Sequence, residues 1–233
     1  MGRRSATEPV TATRYDGLAD WYDETFAWYP SAADGPAPVL AALLGRGPGL
    51  VLDVGCGTGL SALALAAAGW TVGGVDVSAD QLRLARGRCA WAVRGDATRL
   101  PFAGGRVPRA AVVLVHSDVD DYAAVLREVA RVVAPGGDVV HLGVHPCFVG
   151  HHVESVTRRP DRLALGPGYA AAGWVLRHEN FGPGVRGRIG ARHVPLAELL
   201  NAVAGAGLVL REVVEAGPNL VPWMLGLRAT VPA

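Results

Sequence analysis

The segment Asp53-Val54-Gly55-Cys56-Gly57-Thr58-Gly59 concentrates residues that could do chemistry. Its three glycines let a ligand approach the backbone closely, and a helix starting directly after them would present free amides. Two cofactor classes use such a loop. A dinucleotide fold wants glycines at 55, 57 and 60, but position 60 is Leu, and an acid stands two residues before the first glycine. Asp76 follows the next apolar run, where a carboxylate can accept from both ribose hydroxyls, and Asp96 in Gly95-Asp96-Ala97 falls beside the place of an adenine. Singly, each acid reads as a turn residue or helix cap. At three successive strand ends, Asp53, Asp76 and Asp96 together read as a nucleoside site.

Histidine is the second resource, since its proton affinity suits acid–base work near neutral pH. The candidates for a general base are His116, His145, His151, His152 and His193. His145 leads them, because it directly follows the fifth apolar strand and should project from the carboxyl end of a sheet; for any one of them, a surface or hydrogen-bonding role is the blander reading. His145-Pro146-Cys147 followed by His151-His152 invites a metal reading. No second cluster completes it and H-E-x-x-H is absent, so no metal is expected. Cys56 has no basic neighbour in its motif to lower its pKa and reads as packing.

These residues need elements to position them. Leu50–Val54, Thr71–Val75, Ala90–Val93, Ala110–Val115 and Val139–Val144 read as buried strands. They alternate with helices over 60–68, 78–88 (Ser78 capping) and 122–133. Continuous apolar strands alternating with helices make a parallel sheet covered on both faces. Upstream, residues 15–28 read as a helix rich in Trp and Tyr, joined through a Pro/Gly segment to a second helix ending near Gly45. Pro135-Gly136-Gly137 reads as a turn. After Val144 the rhythm breaks: residues 145–192 are rich in Gly, Pro, His and Arg, too long for a simple loop, and read as a partly ordered insertion. A helix over 195–206 and strands over 208–214 and 224–230 close the chain. The organisation expected is a cap over 1–48, a cofactor-binding core over 49–144, a substrate lid over 145–192 and completion of the sheet over 193–233.

Composition narrows the chemistry. The 233 residues carry a formal charge of +1, too weak a field to argue for nucleic acid or an anionic membrane as partner. All 22 basic residues are Arg, and the lack of lysine excludes Schiff-base enzymes, P-loop nucleotidases and kinases. Three cysteines without a close pair make no disulfide framework, and neither a secretory signal nor a membrane span is evident, so a cytoplasmic location is expected.

Four motifs, in order, carry a resemblance: Val51 to Gly59, Gly74-Val75-Asp76-Val77-Ser78, Gly95-Asp96-Ala97, and Arg127 to Gly137. Across about residues 50–144 the chain resembles the class I S-adenosylmethionine-dependent methyltransferases. Tyr15-Asp16-x-Leu18-Ala19-x-x-Tyr22-Asp23 and the stretch from His193 to Leu208 resemble that family's small-molecule branch. The usual Phe-Asp before the fourth strand is replaced by Val107-Pro108-Arg109, which leaves that strand's start open. The resemblance implies an α/β, Rossmann-like, doubly wound seven-stranded sheet whose last strand is antiparallel. In it Gly55, Cys56, Gly57 and Gly59 would bracket the methionine moiety, and Asp53 would anchor its amino end through the loop. Asp76 would hold the ribose, Val77, Asp96 and Ala97 would meet the adenine, and Tyr22 and His116 would complete the cofactor contacts.

The activity implied is methyl transfer from S-adenosylmethionine, leaving S-adenosylhomocysteine, to an O, N or C atom of a small acceptor. Trp21, Tyr22, Phe26, Trp28 and Tyr29 of the cap, with Trp174 and Phe181 of the insertion, would roof an apolar pocket suited to an aromatic or polyketide-like acceptor rather than RNA. The chain would act as a monomer or homodimer in biosynthesis. Two other readings stay open: the same fold holding S-adenosylmethionine without transfer, as a cyclase or binding protein, and an NAD-dependent oxidoreductase, disfavoured by Leu60 and Asp96.

Overall fold

The computed structural model describes residues 13–154, 164–217 and 221–233. The polar first dozen residues and part of the insertion, 155–163, lie outside the described residues. In chain order the elements are α1 (Ala19–Thr25), α2 (Pro36–Leu44), β1 (Leu50–Val54), α3 (Leu60–Ala67), β2 (Thr71–Asp76), α4 (Ala79–Ala85), β3 (Trp91–Arg94), β4 (Val107–Val113), α5 (Tyr122–Val132) and β5 (Val133–Val144). There follow β6 (Val153–Glu154), β7 (Ala164–Leu165), β8 (Gly173–Val175), α6 (Val185–Ile189), β9 (Ala191–His193), α7 (Leu196–Gly205), β10 (Val209–Ala216) and β11 (Met224–Thr230).

Seven strands form one sheet in the order β10-β11-β5-β4-β1-β2-β3. β1 to β5 pair in parallel, while β11 runs antiparallel to both β5 and β10, as the sequence resemblance implies. Apolar side chains fill both faces. One layer joins Leu52, Val54 and Val112 to Val125, Val129, Leu199 and Val203 of α5 and α7. The other packs Val51, Val72 and Leu142 under Leu40, Leu43, Leu65 and Leu82 of α2, α3 and α4. The parallel strands β1, β2 and β4 share one carboxyl edge, and the strand order reverses between β1 and β4, the place where ligands bind in open α/β sheets.

Three boundaries depart from the sequence reading. The first helix is only Ala19–Thr25: residues 14–17 form a turn, and the amides of Gly17 in that turn and of Ala19 at the helix start donate to Asp80 Oδ2 at 2.9 and 3.3 Å. β4 starts at Val107, so the atypical Val107-Pro108-Arg109 is strand after all. The expected turn at 135–137 is a bulge inside β5. Val107 pairs with Val133 and Arg109 with Asp138, so the extra β5 residues loop out and are held by bonds with Val231. At Gly137 a Cβ would stand 2.5 Å from the Pro108 carbonyl, so only glycine passes there.

The N-terminal cap is stapled to α4. Ser78 Oγ donates to Asp16 Oδ1 at 2.6 Å while capping α4 by accepting from Gln81 N. Arg88 pairs both guanidinium nitrogens with Asp23 and also donates to the Thr58 carbonyl at 3.0 Å. These partly buried contacts anchor α1 over the glycine loop.

Candidate active site

The loop between β1 and α3 is bonded to its neighbour strand: the Gly55 and Cys56 amides donate to the Val75 carbonyl at 2.8 and 3.1 Å, and the Gly57 amide to Asp76 Oδ2 at 2.9 Å. Gly55, Gly57 and Gly59 all have positive φ, at 73°, 53° and 85°. Glycine is doubly required at 55, where a Cβ would lie 2.5 Å from Val115 Cγ2. No side chain caps α3, so its first amides face the loop's mouth.

Asp53 is fully buried and neither carboxylate oxygen has a hydrogen-bond partner. Burial first, then the fields of Cys89 and Asp76, pushes its carboxyl well above the usual range. With no exposed surface, this acid can act on a ligand's cationic group only through the glycine loop above it. The folded protein holds the Asp53 proton more tightly than the unfolded chain does. Asp53 therefore lowers stability progressively as pH rises from the ordinary carboxylate range toward the folded pKa. Asp53→Asn should raise the ligand-free melting temperature at neutral pH by roughly 2–4 °C, about 1 kcal/mol for a chain of this size, and flatten the decline with pH. A thermal-melt series across pH checks both.

Asp76 Oδ1 accepts from the Ser78 amide at 2.8 Å, leaving each oxygen a further lone pair toward the site. Its carboxyl is raised by burial, against the lowering by the Ser78, Gly57 and Val77 amides. Val77 follows on the same edge, its carbonyl accepting from Arg94 Nε at 2.9 Å. Asp96 is exposed and its Oδ1 accepts from Thr98 N and Oγ1, in the turn that carries Ala97. Tyr22 is held by Tyr15 and Phe26. Burial and the negative field of Asp118, with a smaller one from Asp76, push it up to about 12. Cys56 turns its thiol behind the sheet, where it crowds Gly74 together with Cys89. Its hydrogen bond to Cys89 and burial raise its pKa, keeping it a thiol.

Beyond β4 and β5 lies a cavity of about 380 Å³, walled by Phe26 of the cap, Val144, Pro146 and Val149 after β5, and Phe181 and Val185 of the insertion. Its polar groups are His116, Ser117, His151, Asn180, Arg186, Arg192 and His193. His116 comes directly after Val115, the residue packed on Gly55, and so stands where loop and cavity meet. It is buried, its Nδ1 is unpartnered, and its ring meets His141 and Tyr122 edge-on. Burial, reinforced by His141 and Arg186, drops its pKa well below the ordinary histidine value. His141, bonded to Tyr122 Oη at 2.6 Å, is lowered to about 3 by burial.

His145 does not reach the cavity wall. Its Nε2 meets Glu215 Oε1 at 2.7 Å and its Nδ1 accepts from the Cys147 amide at 3.2 Å, so both ring nitrogens are engaged in tying the turn after β5 to β10. His145→Ala should therefore cost about 1–3 kcal/mol of stability, from two lost hydrogen bonds, with kcat little changed. Melting temperature and kcat measured on the same variant separate the two roles. His193 lines the cavity, and His152 is buried behind it, their rings 4.7 Å apart. Trp174 bonds Asp120 beneath Arg14 rather than facing the cavity, and Trp21 lies under Arg188.

Sequence reasoning missed Arg186. On α6 it pairs with Asp118, donates to Ser117 Oγ at 2.8 Å, and shares Asp118 with Tyr15 Oη at 3.2 Å. Cap, core and insertion thus meet at one ion pair whose members lie far apart in sequence, with no local signal to join them.

A parallel sheet reordered at β1, a glycine loop with flanking acids, and an adjoining cavity define a nucleoside-cofactor-binding α/β protein. Residues 51–137 match the family model described as "Methyltransferase domain". A demethylmenaquinone methyltransferase of Mycobacterium sp. (strain KMS) is 43% identical over 176 residues, covering 62% of this chain and 76% of that protein. Among solved structures, an S-adenosylmethionine-dependent methyltransferase from Mesorhizobium loti superposes with a TM-score of 0.68 at 23% identity, over 85% of this chain and all (100%) of that one. The cyclase SpnF superposes with a TM-score of 0.62 at 17% identity, over 96% of this chain and 98% of its own. The chain belongs to the S-adenosylmethionine-dependent methyltransferases. Its cofactor is S-adenosylmethionine.

Proposed function

We propose that the protein methylates a small, polar-headed aromatic acceptor of the demethylated quinone type, in its reduced form, held in the cavity behind His116. The observation that carries this is the junction itself: an apolar chamber of about 380 Å³ opens beside the glycine loop with a neutral imidazole at the meeting point. That volume takes a fused ring but little more. The relatives named for demethylmenaquinone support the acceptor class.

Asp53 anchors the cofactor's ammonium end through the loop, Gly55, Gly57 and Gly59 admit its methionine moiety, and Asp76 accepts from its ribose. Val77, Asp96 and Ala97 border the adenine, and Tyr22 closes the site from the cap. The described residues of 145–192 form the acceptor lid over the 49–144 core, next to those of the 1–48 cap and of the 193–233 completion. When bound, the cofactor supplies an activated methyl group on sulfonium sulfur. The chain's part is to align the acceptor in line with that bond, exclude water and accept a hydrogen bond or proton at His116. Arg186, neutralised by Asp118, orients an acceptor oxygen. A monomer or homodimer in the cytoplasm, without nucleic acid, fits the near-neutral surface and the unpaired Cys56, Cys89 and Cys147. Among the described residues no helix is long and apolar enough to cross a membrane.

A panel of hydroquinones, catechols, amines and enols, each incubated with the protein and labelled S-adenosylmethionine, tests the reading. Methylation of fused-ring hydroquinones above the rest supports it; turnover confined to amines would overturn it. The likeness to SpnF keeps a second reading, a cofactor-holding cyclase.

A further inference from the structure

We propose that His151, His152 and His193 form a three-histidine site for a divalent transition metal, zinc in the first instance, on the wall of the acceptor cavity. Each ring offers a nitrogen, and the three lie within 4.8 Å of one another. In sequence, His145, Cys147, His151 and His152 lack a completing cluster, because His193 arrives from β9, far along the chain.

Two rings are already set as ligands. His193 Nε2–H donates to the Tyr169 carbonyl at 2.7 Å and His152 Nε2–H to the Cys147 carbonyl at 3.4 Å. A carbonyl can only accept, so each neutral ring carries its free lone pair on Nδ1. This is the arrangement that metal-ligating histidines adopt, the second nitrogen held by a backbone oxygen. Both Nδ1 atoms converge on Gly150, where a Cβ would lie 3.0 Å from that of His152 and 3.7 Å from that of His193. Gly150 leaves that space open, and its φ of +150° excludes most side chains anyway. His152 Nδ1 is buried without a partner on a residue only 2% exposed, an unmet polar atom aimed into the gap. Burial and mutual repulsion lower the pKa of all three rings, which keeps them unprotonated.

Three neutral imidazoles suit zinc, copper or nickel, and a three-histidine zinc keeps a fourth position open. Zn–N bonds of about 2.0–2.1 Å require the rings to draw together, and half-exposed His151 has room to swing. His151 and His193 line the cavity, so the open position faces it. Resting on the proposed acceptor, a hydroxyl bound there would release its proton to solvent and stay as a metal-bound oxyanion, easing the demand on weakly basic His116.

Equilibrium dialysis against zinc alone, and cobalt titration followed by visible absorption, test the site on the full chain. Expected are one zinc per chain at micromolar affinity or tighter and a tetrahedral cobalt band without thiolate charge transfer. His151→Gln, His152→Gln and His193→Gln should each weaken zinc at least about tenfold while S-adenosylhomocysteine still binds. Cys147→Ser should leave it unchanged. No uptake by the native chain, uptake indifferent to all three substitutions, or a thiolate band would overturn the proposal. Because dialysis reads the metal directly, failure of the acceptor assignment leaves this result standing, and failure here leaves methyl transfer standing.

Discussion

His116→Ala is expected to lower kcat by roughly 10²-fold or more, with far less effect on S-adenosylhomocysteine affinity. The residue lines the cavity beside the glycine loop, where the proposed acceptor would meet the methyl group. Its ring is held by edge-on contacts with His141 and Tyr122, and its unpartnered Nδ1 is buried against Gly143 of β5, which leaves Nε2 as the nitrogen to meet an acceptor. A pH profile adds a second readout. A histidine base loses activity as it protonates, so kcat falls with decreasing pH through its pKa. Burial puts that pKa well below the ordinary histidine value, and the acid limb of kcat should lie below it too. An acid limb at or above the ordinary value in the native enzyme, or full turnover in the variant, would remove His116 from the reaction.

Asp76→Ala should weaken S-adenosylmethionine by about 3 kcal/mol, roughly 10²-fold, the upper range for hydrogen bonds to a charged group. The carboxylate has two jobs. It would accept from the ribose, and it already fixes the loop by accepting from Gly57 and Ser78 amides. Asp76→Asn keeps one acceptor oxygen and should fall between. Calorimetry on both variants measures the order, and native-like affinity in the alanine variant would reassign the ribose partner.

How much of this was legible in sequence depends on range. Asp53 to Gly59 and Asp76 stand out because each closes an apolar run, and the alternation of runs and helices implied a parallel sheet covered on both faces. β5 misled, because Pro135-Gly136-Gly137 carries turn chemistry that the neighbouring β4 and the C-terminal Val231 convert into a bulge. His145 misled for a related reason. Position at a strand's end says where a side chain starts, while Glu215 on β10 and the Cys147 amide decide where its ring goes. Arg186 with Asp118, and His193 with His151 and His152, are joined only by tertiary folding of the insertion back onto β4 and the cap. Nothing in local composition distinguishes such residues from solvated charge.

The most direct test is stoichiometric. Incubated with a fused-ring hydroquinone and S-adenosylmethionine carrying a labelled methyl group, the protein should form S-adenosylhomocysteine and labelled acceptor in equal amounts, turning over many times. A protein that binds the cofactor tightly and reshapes the acceptor with its label still on sulfur would contradict the account and establish the cyclase reading instead.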